Sequence, residues 1–260
     1  ISIQGPDATE FLNRIYTNPF AKLQIGKTRY GIMLRDDGIV LDDGTSWRIS
    51  EDEYFMTTST AHAAKVMAWL EELLQTRWKD LKVHITTVSE QWTAVSVAGP
   101  KSREVLYECV EDKNLVENDK LPFMGLIQTK LKNKIPIRIV RISFSGEMAF
   151  EIYSPSDYAN EMMDLLWENT KKYHGCLYGL EALGALRIEK GHVTGAELDG
   201  RVTIDDAGLG KMASTKKSYI GSAMRKRGVL GEKNREQLVG IFPKNKSETF
   251  DAGTILCEKK

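Results

Sequence analysis

Two acidic pairs follow each other closely near the start of the chain, and only the first is needed to make a turn. Asp36-Asp37-Gly38 is typical of a hairpin turn. The apolar run Ile39-Val40-Leu41 comes next, and we interpret it as a buried strand that ends at Asp42 and Asp43. Carboxylates at a strand end near a core either face water or serve a site. For Asp42 and Asp43, the residues alone leave both interpretations open.

A third candidate carboxylate lies in a segment that reads as strand, tight turn and strand, over residues 141–152. Glu151 stands there between Phe150 and Ile152. Neighbours on a strand point to opposite faces, so Glu151 shares its face with Ala149 and not with its two apolar neighbours. It is therefore either a surface residue at a strand edge or a ligand-binding carboxylate. Further on, residues 179–191 predict a short helix with a glycine stop at Gly191.

Composition limits the classes of partner. The chain has 260 residues, 42% of them hydrophobic, which is enough for two domains. Its 36 basic and 36 acidic residues cancel, and it has no run of 18 apolar residues, so we expect neither a nucleic-acid nor a membrane partner. Cys109, Cys176 and Cys257 are far apart and show no metal spacing, which predicts a reduced, cytoplasmic protein without a metal. Because Ile1 already lies in a strand-like pattern, we expect a fragment of a longer chain.

The elements that position these residues show a faint internal repeat. Residues 2–6 and residues 96–100 both read as a strand that ends at Gly-Pro and leads into a helical pattern. The repeat indicates either two related α+β units or a coincidence of a common strand-to-helix turn. The other predicted elements are helices over 61–78 and 156–173, a hairpin over 135–144 and 149–153, and a new strand over 238–242.

Taken in order, several short motifs resemble the folate-binding aminomethyltransferase family, which includes the glycine-cleavage T-protein. Within that family they are most similar to the branch formed by the C-terminal part of the sarcosine oxidase alpha subunit. No single motif is decisive, and the match depends on their order and spacing over residues 1–243. The motifs are Ile3-Gln4-Gly5-Pro6-Asp7-Ala8, Asp42-Asp43-Gly44, Tyr54-Phe55-Met56-Thr57-Thr58, Glu90-Gln91-Trp92, Ala98-Gly99-Pro100-Lys101-Ser102-Arg103 and Leu186-Arg187-Ile188-Glu189-Lys190-Gly191.

The resemblance implies an α+β fold of two α+β units with antiparallel sheets, followed by the start of a C-terminal β-barrel domain. We expect residues 1–233 to form the folate-binding region, with its two units interleaved, and residues 234–260 to begin the truncated barrel.

The resemblance also implies roles for six residues. Asp43 matches the family's catalytic acid, and its neighbour Asp42 is a second candidate that the sequence does not separate from it. Glu151 matches the carboxylate that binds the pterin edge. The aromatic candidates for contact with folate are Tyr30, Phe144 and His192, although a core tyrosine and a surface histidine are the ordinary interpretations of the first and last.

Two departures from the T-protein pattern favour the sarcosine oxidase branch. Leu183 stands where T-proteins carry an arginine that matters for their protein-bound substrate, and Gly44 stands where they usually carry leucine. The resemblance then implies that tetrahydrofolate captures a small imine as 5,10-methylenetetrahydrofolate. FAD, FMN and NAD are expected only on other domains or subunits, which would be the partners. The alternatives are a glycine-cleavage aminomethyltransferase and a non-catalytic folate-binding regulator.

Overall fold

The computed structural model of the chain describes residues 1–232, 234–245, 248–250 and 253–255. Within them lie nine strands: β1 (Ser2–Gln4), β2 (Thr28–Leu34), β3 (Val40–Arg48), β4 (Glu53–Met56), β5 (His84–Thr86), β6 (Trp92–Ala98), β7 (Leu126–Lys130), β8 (Pro136–Val140) and β9 (Ala149–Pro155). The α-helices of the described residues are α1 (Ala8–Ile15), α2 (Ala63–Thr76), α3 (Ser102–Cys109), α4 (Ala159–Lys172) and α5 (Leu180–Lys190).

The strands form two antiparallel sheets that follow each other along the chain. The first has the order β2-β3-β4-β1-β5, and the second has the order β6-β9-β8-β7. Helices α1 and α2 cover one face of the first sheet, where Phe11 and Leu70 pack with Ile3 and Met33. Helices α3 and α4 cover one face of the second sheet around Phe150. Each sheet therefore has one face that its own helices bury.

The other face of the first sheet is covered in two parts. Trp47 and Phe55 pack against Val140 and Tyr153 of the second sheet, so that the two sheets face each other there. Beyond this contact, apolar residues of the segment 193–220 pack on β2 and the start of β3. The face of the first sheet that α1 and α2 leave uncovered is thus packed against the second sheet and against the segment 193–220.

The internal repeat that the sequence predicts is present as structure. Strands β1 and β6 each end at a glycine, Gly5 with φ of 132° and Gly99 with φ of 122°. Each leads within three residues into a helix of eight residues, α1 or α3. Residues with a Cβ rarely adopt such positive φ values, which is why a glycine stands at both positions.

Most predicted elements are confirmed with shifted ends, and two predictions are wrong. The acidic pair does not end its strand, because β3 pairs with β2 as far as Trp47 and continues to Arg48. Leu238–Phe242 forms no strand in the described residues, since no neighbouring strand pairs with it, and Phe242 is 87% exposed. The barrel expected from residue 234 onward includes residues 246–247, 251–252 and 256–260, Cys257 among them, which lie outside the described residues. The domain boundary stays a prediction.

No helix among the described residues has both the length and the apolar character to cross a membrane.

Candidate functional site

Asp42 and Asp43 lie on opposite faces of β3, because side chains alternate along a strand. Asp42 is paired with Met33 and faces the core beneath α1 and α2, where only 2% of its surface is exposed. It accepts a hydrogen bond from the Ser59 backbone N–H at 3.1 Å, and its other oxygen lies 3.1 Å from Nδ1 of His62. In the structure Asp42 therefore holds the segment that leads into α2.

Asp43 faces the other way and is bonded to Tyr30. In the register of the sheet Asp43 is opposite Ile32, so Tyr30 is its diagonal neighbour on the same face. The Tyr30 hydroxyl donates to Oδ2 of Asp43 at 2.7 Å. Burial raises the pKa of the Asp43 carboxyl above its ordinary value, the hydrogen bond from Tyr30 lowers it, and the charge of Asp42 raises it again. A carboxyl with a raised pKa is suited to proton transfer nearer neutral pH.

Gly44, one of the two departures from the T-protein pattern, has a structural reason. A Cβ on residue 44 would lie 2.0 Å from the carbonyl oxygen of Thr57. Real Cβ atoms do not come this close, so the approach of residue 57 to β3 requires a glycine. The neighbouring residue, Thr45, bonds to the same Thr57 through its backbone N–H at 3.0 Å.

Glu151, like Asp43, lies on the face of its own sheet that is turned away from the covering helices. It lies on the face of β9 that is opposite Phe150 and Ile152, which are buried beneath α3 and α4. The Tyr153 hydroxyl donates to Oε2 of Glu151 at 2.7 Å. Burial raises the pKa of the Glu151 carboxyl, and the bond from Tyr153 opposes that rise. No described residue forms a hydrogen bond to Oε1, which leaves this oxygen available as an acceptor.

Each of the two carboxylates lies on the face of its sheet that is turned away from the covering helices. Asp43, Thr45 and Trp47 share one face of β3, and the ring of Trp47 meets the ring of Tyr153 edge-on at 4.6 Å between centroids. Since each strand residue advances the chain by about 3.3 Å, the backbones of Asp43 and Trp47 are about 13 Å apart. Asp43 and the residue that contacts Tyr153 therefore lie at different points along β3.

Phe144 and His192 are brought together as a stacked pair. Their ring centroids are 5.6 Å apart with an interplanar angle of 19°, and Nδ1 of His192 lies 2.9 Å from the carbonyl oxygen of Phe144. His192 directly follows the predicted helix stop, which is confirmed by Gly191 with φ of 84° at the end of α5. At this separation the rings contact each other directly. The pair can therefore form one wall of a binding site but leaves no slot for a ligand ring between its members.

The aromatic pair also connects to the first sheet. Val193, next to His192, packs in the same apolar cluster as Ile32 and the ring of Tyr30. Tyr30 therefore donates its hydroxyl to Asp43 and packs its ring in the apolar cluster that contains Val193. Of the three predicted carboxylates, Asp42 alone faces the helix-covered side of its sheet.

Sequence reasoning missed two aromatic residues of the site, Trp47 and Tyr153. A signal for Tyr153 was present, because residues 151 and 153 of one strand must share a face. Trp47 could not be found in the same way, since its contact joins residues that are 106 positions apart in the chain.

A separate open pocket of about 1010 Å³ lies beside α1, lined among others by Arg14, Arg29, Trp78 and Lys217. It contains none of the six predicted residues. The ammonium of Lys217 is half-buried there and donates to the carbonyl of Asn13 at 2.5 Å and to that of Tyr16, so that it caps the C-terminal end of α1. We therefore take as the candidate site the region between the two sheets around Asp43, Glu151 and the Trp47–Tyr153 contact, which is called the cleft below.

This fold agrees with the comparisons with known proteins. The model of the GCVT N-terminal domain matches residues 1–217, and the chain belongs to this family. The glycine cleavage system aminomethyltransferase T from Bartonella henselae superimposes with a TM-score of 0.72, at 23% identity, over 86% of this chain and 58% of that one. The predicted α+β fold with antiparallel sheets is thereby confirmed.

Particular relatives within the family fall into two groups. The chain is 42% identical to the sarcosine oxidase subunit alpha of Rhizobium meliloti (strain 1021) over its full length, and 40% identical to that of Corynebacterium sp. (strain U-96) over 98% of it. It is 30% identical to the aminomethyltransferase of Oceanobacillus iheyensis over 93% of its length. It spans 26% of each of these two sarcosine oxidase subunits and 64% of the aminomethyltransferase. The predicted family resemblance is confirmed.

Proposed function

We propose that this chain is the tetrahydrofolate-dependent one-carbon transfer part of a sarcosine oxidase alpha subunit. In this proposal an imine formed by oxidation of sarcosine gives its one-carbon group to tetrahydrofolate, which yields 5,10-methylenetetrahydrofolate and releases glycine. The observation that carries the proposal is the pair of half-buried carboxylates, Asp43 and Glu151, each bonded to a tyrosine on the sheet face that its own helices do not cover. The identity to sarcosine oxidase alpha subunits supports this branch of the family over the others.

The cleft suits a reduced pterin. The edge of such a ring presents N–H donors, and Oε1 of Glu151 is an acceptor that no described residue uses. A charge-assisted hydrogen bond to a carboxylate is about twice as strong as a neutral one. The rings of Tyr30, Phe144 and His192 supply flat surfaces for the ligand. When bound, tetrahydrofolate supplies the two nitrogen atoms, N5 and N10, that take up the one-carbon group.

In this proposal Asp43 acts beside N5 and N10 of tetrahydrofolate. Its backbone lies about 13 Å along β3 from Trp47, the residue that contacts Tyr153, which supports a role for Asp43 distinct from that of Glu151. There it takes up a proton as the nitrogen acquires carbon, and its negative charge stabilises the cation that develops. Tyr30 orients the carboxyl through the 2.7 Å hydrogen bond. Asp42 faces the opposite side of the strand and is assigned the structural role.

Calorimetric titration of the chain with tetrahydrofolate under anaerobic conditions tests the binding part of the proposal. We expect saturable heat from the wild type and a weaker signal from Glu151→Gln. The matched control is Glu117→Gln, because Glu117 also accepts a tyrosine hydrogen bond, from Tyr107 at 2.9 Å, but lies outside the cleft. Absence of saturable binding by the wild type would overturn the proposal for this chain.

Two alternatives are distinguished by the same set of assays. A glycine-cleavage type of aminomethyltransferase is the alternative that the lower identity of 30% to such enzymes leaves open, and it would act on a protein-bound aminomethyl group and not on a free imine. A non-catalytic folate-binding protein would bind tetrahydrofolate, but Asp43→Asn would then change no product. The cytoplasmic location and the placement of FAD, FMN and NAD on other domains or subunits stay predictions.

A further inference from the structure

Tyr153 joins the two sheets at the candidate site. Its ring meets Trp47 edge-on at 4.6 Å and lies 5.9 Å from the ring of Phe55, both on the first sheet. Its hydroxyl donates to Oε2 of Glu151 at 2.7 Å on its own strand. One side chain therefore contacts the face of β3 that carries Asp43 and holds the carboxylate of the opposite sheet.

We propose that Tyr153 is a positioning residue for Glu151. Its ring is fixed by the first sheet, and its hydroxyl occupies Oε2 so that Oε1 is the oxygen presented to a ligand. This inference rests on the proposed function for the identity of the ligand, but the orientation of Glu151 can be measured without one.

Among the described residues around Glu151, only Tyr153 is placed to orient the carboxyl. Opposite Glu151 in the sheet are Ser96 of β6 and Val140 of β8, and neither titrates. The nearest cation by register is Arg138, which is opposite Tyr153, lies over the ring of Trp92 at 4.3 Å and is 3.8 Å from Glu53. From the first sheet, the ionisable group on the facing side of β3 is Asp43. Of these, Tyr153 alone forms a hydrogen bond with the carboxyl.

The test variant is Tyr153→Phe, which keeps the ring against Trp47 and removes the hydroxyl. The matched control is Tyr107→Phe, which removes the hydrogen bond to Glu117 between α3 and the segment that follows it. In the ligand-free chain, carbon-13 NMR follows the titration of the Glu151 carboxyl. Because the hydrogen bond favours the ionised form, we expect the midpoint to move to higher pH in Tyr153→Phe and to stay in place in Tyr107→Phe. An unchanged midpoint in Tyr153→Phe would overturn the positioning role.

Tetrahydrofolate titration gives the second readout. We expect Tyr153→Phe to weaken binding about 3- to 10-fold at neutral pH, which corresponds to the loss of one hydrogen bond. The loss of affinity on acidification should begin at higher pH than in the wild type. If the wild type binds and Glu151→Gln weakens binding while Tyr153→Phe does not, the positioning role fails and the proposed function stands. If the wild type does not bind, the proposed function fails, and the NMR midpoint alone decides whether Tyr153 holds Glu151.

Discussion

Asp43 and Glu151 each accept a tyrosine hydrogen bond of 2.7 Å, but the two tyrosines come from different places. Tyr30 reaches Asp43 from the neighbouring strand, so this pair exists only when β2 and β3 are in register. Tyr153 reaches Glu151 from two residues along the same strand, so that pair is set by local alternation. The Tyr30–Asp43 pair therefore depends on strand pairing, whereas the Tyr153–Glu151 pair depends on the contacts that fix the ring of Tyr153.

The charges around the two carboxyls also differ. Burial raises the pKa of both, but at Asp43 the negative charge of Asp42 adds to the rise, whereas no second carboxylate of the described residues raises the pKa of Glu151. A group whose proton affinity is raised by burial and by a like charge suits proton transfer. A carboxylate with one tyrosine partner and one unused oxygen suits ligand recognition. The comparison therefore supports the proposed roles, in which Asp43 carries the chemistry and Glu151 binds the ligand.

Asp43→Asn should give the largest effect. In the complete protein that contains this chain, we expect formation of methylenetetrahydrofolate to fall about 10²- to 10⁴-fold, because the amide keeps the shape but loses the proton acceptor and the charge. Folate affinity should stay close to that of the wild type. The measurement is the ratio of methylenetetrahydrofolate to free formaldehyde at saturating folate, since an imine that is not captured hydrolyses.

The contrasting variant is Asp42→Asn, which should act on the stability of the segment around Ser59 and not on the product ratio. A shift of the ratio in Asp42→Asn without one in Asp43→Asn would move the acid–base role to the neighbour. No shift in either variant would mean that the pair is structural.

Glu151→Gln should weaken tetrahydrofolate binding by about 1.5–3 kcal/mol, or about 10- to 150-fold in Kd. The amide replaces a charge-assisted acceptor and can turn a donor toward the donors of the pterin edge. Calorimetry against Glu117→Gln measures the difference. Equal affinity in Glu151→Gln and in the wild type would remove this residue from the site.

Tyr30→Phe should separate the two functions of that side chain. The ring remains, so we expect affinity within about 2-fold of the wild type, whereas Tyr30→Ala should bind clearly more weakly. Without the hydroxyl on Asp43, product formation should slow about 2- to 10-fold, as expected for one hydrogen bond. Titration and single-turnover rates check this. If the phenylalanine variant loses as much affinity as the alanine variant, the hydroxyl and not the ring contacts the ligand.

The smallest expected effect is on the pH dependence of stability. Because folding raises the pKa of both carboxyls, the folded chain holds these protons more tightly, and the free energy of unfolding falls as pH rises from the ordinary values of 3.8 and 4.5 through the raised ones. Each group contributes a slope of at most about 1.4 kcal/mol per pH unit. Asp43→Asn and Glu151→Gln should each flatten this decline in urea unfolding between pH 4 and pH 8. A decline that is as steep in both variants would contradict the buried environment of the two groups.

Local patterns in the sequence determined much of this protein. The turn at Asp36-Asp37-Gly38, the repeated strand-glycine-proline-helix unit and the stop at Gly191 follow from backbone preferences of a few residues, which tertiary contacts need not supply. The alternation around Glu151 placed it on the face away from the apolar core for the same reason. Order and spacing of the motifs were enough to indicate the family.

Tertiary structure decided the rest. Which of Asp42 and Asp43 faces the cleft depends on which face of β3 the helices cover, and the sequence gives the alternation but not the face. Tyr30 meets Asp43 only through strand register, and Trp47 meets Tyr153 only because two sheets pack together. The predicted strand at Leu238–Phe242 was wrong for a related reason, since β-propensity makes a strand only where a neighbouring strand takes its hydrogen bonds. Contacts between residues distant in the chain are set by packing, and packing is what a linear pattern does not contain.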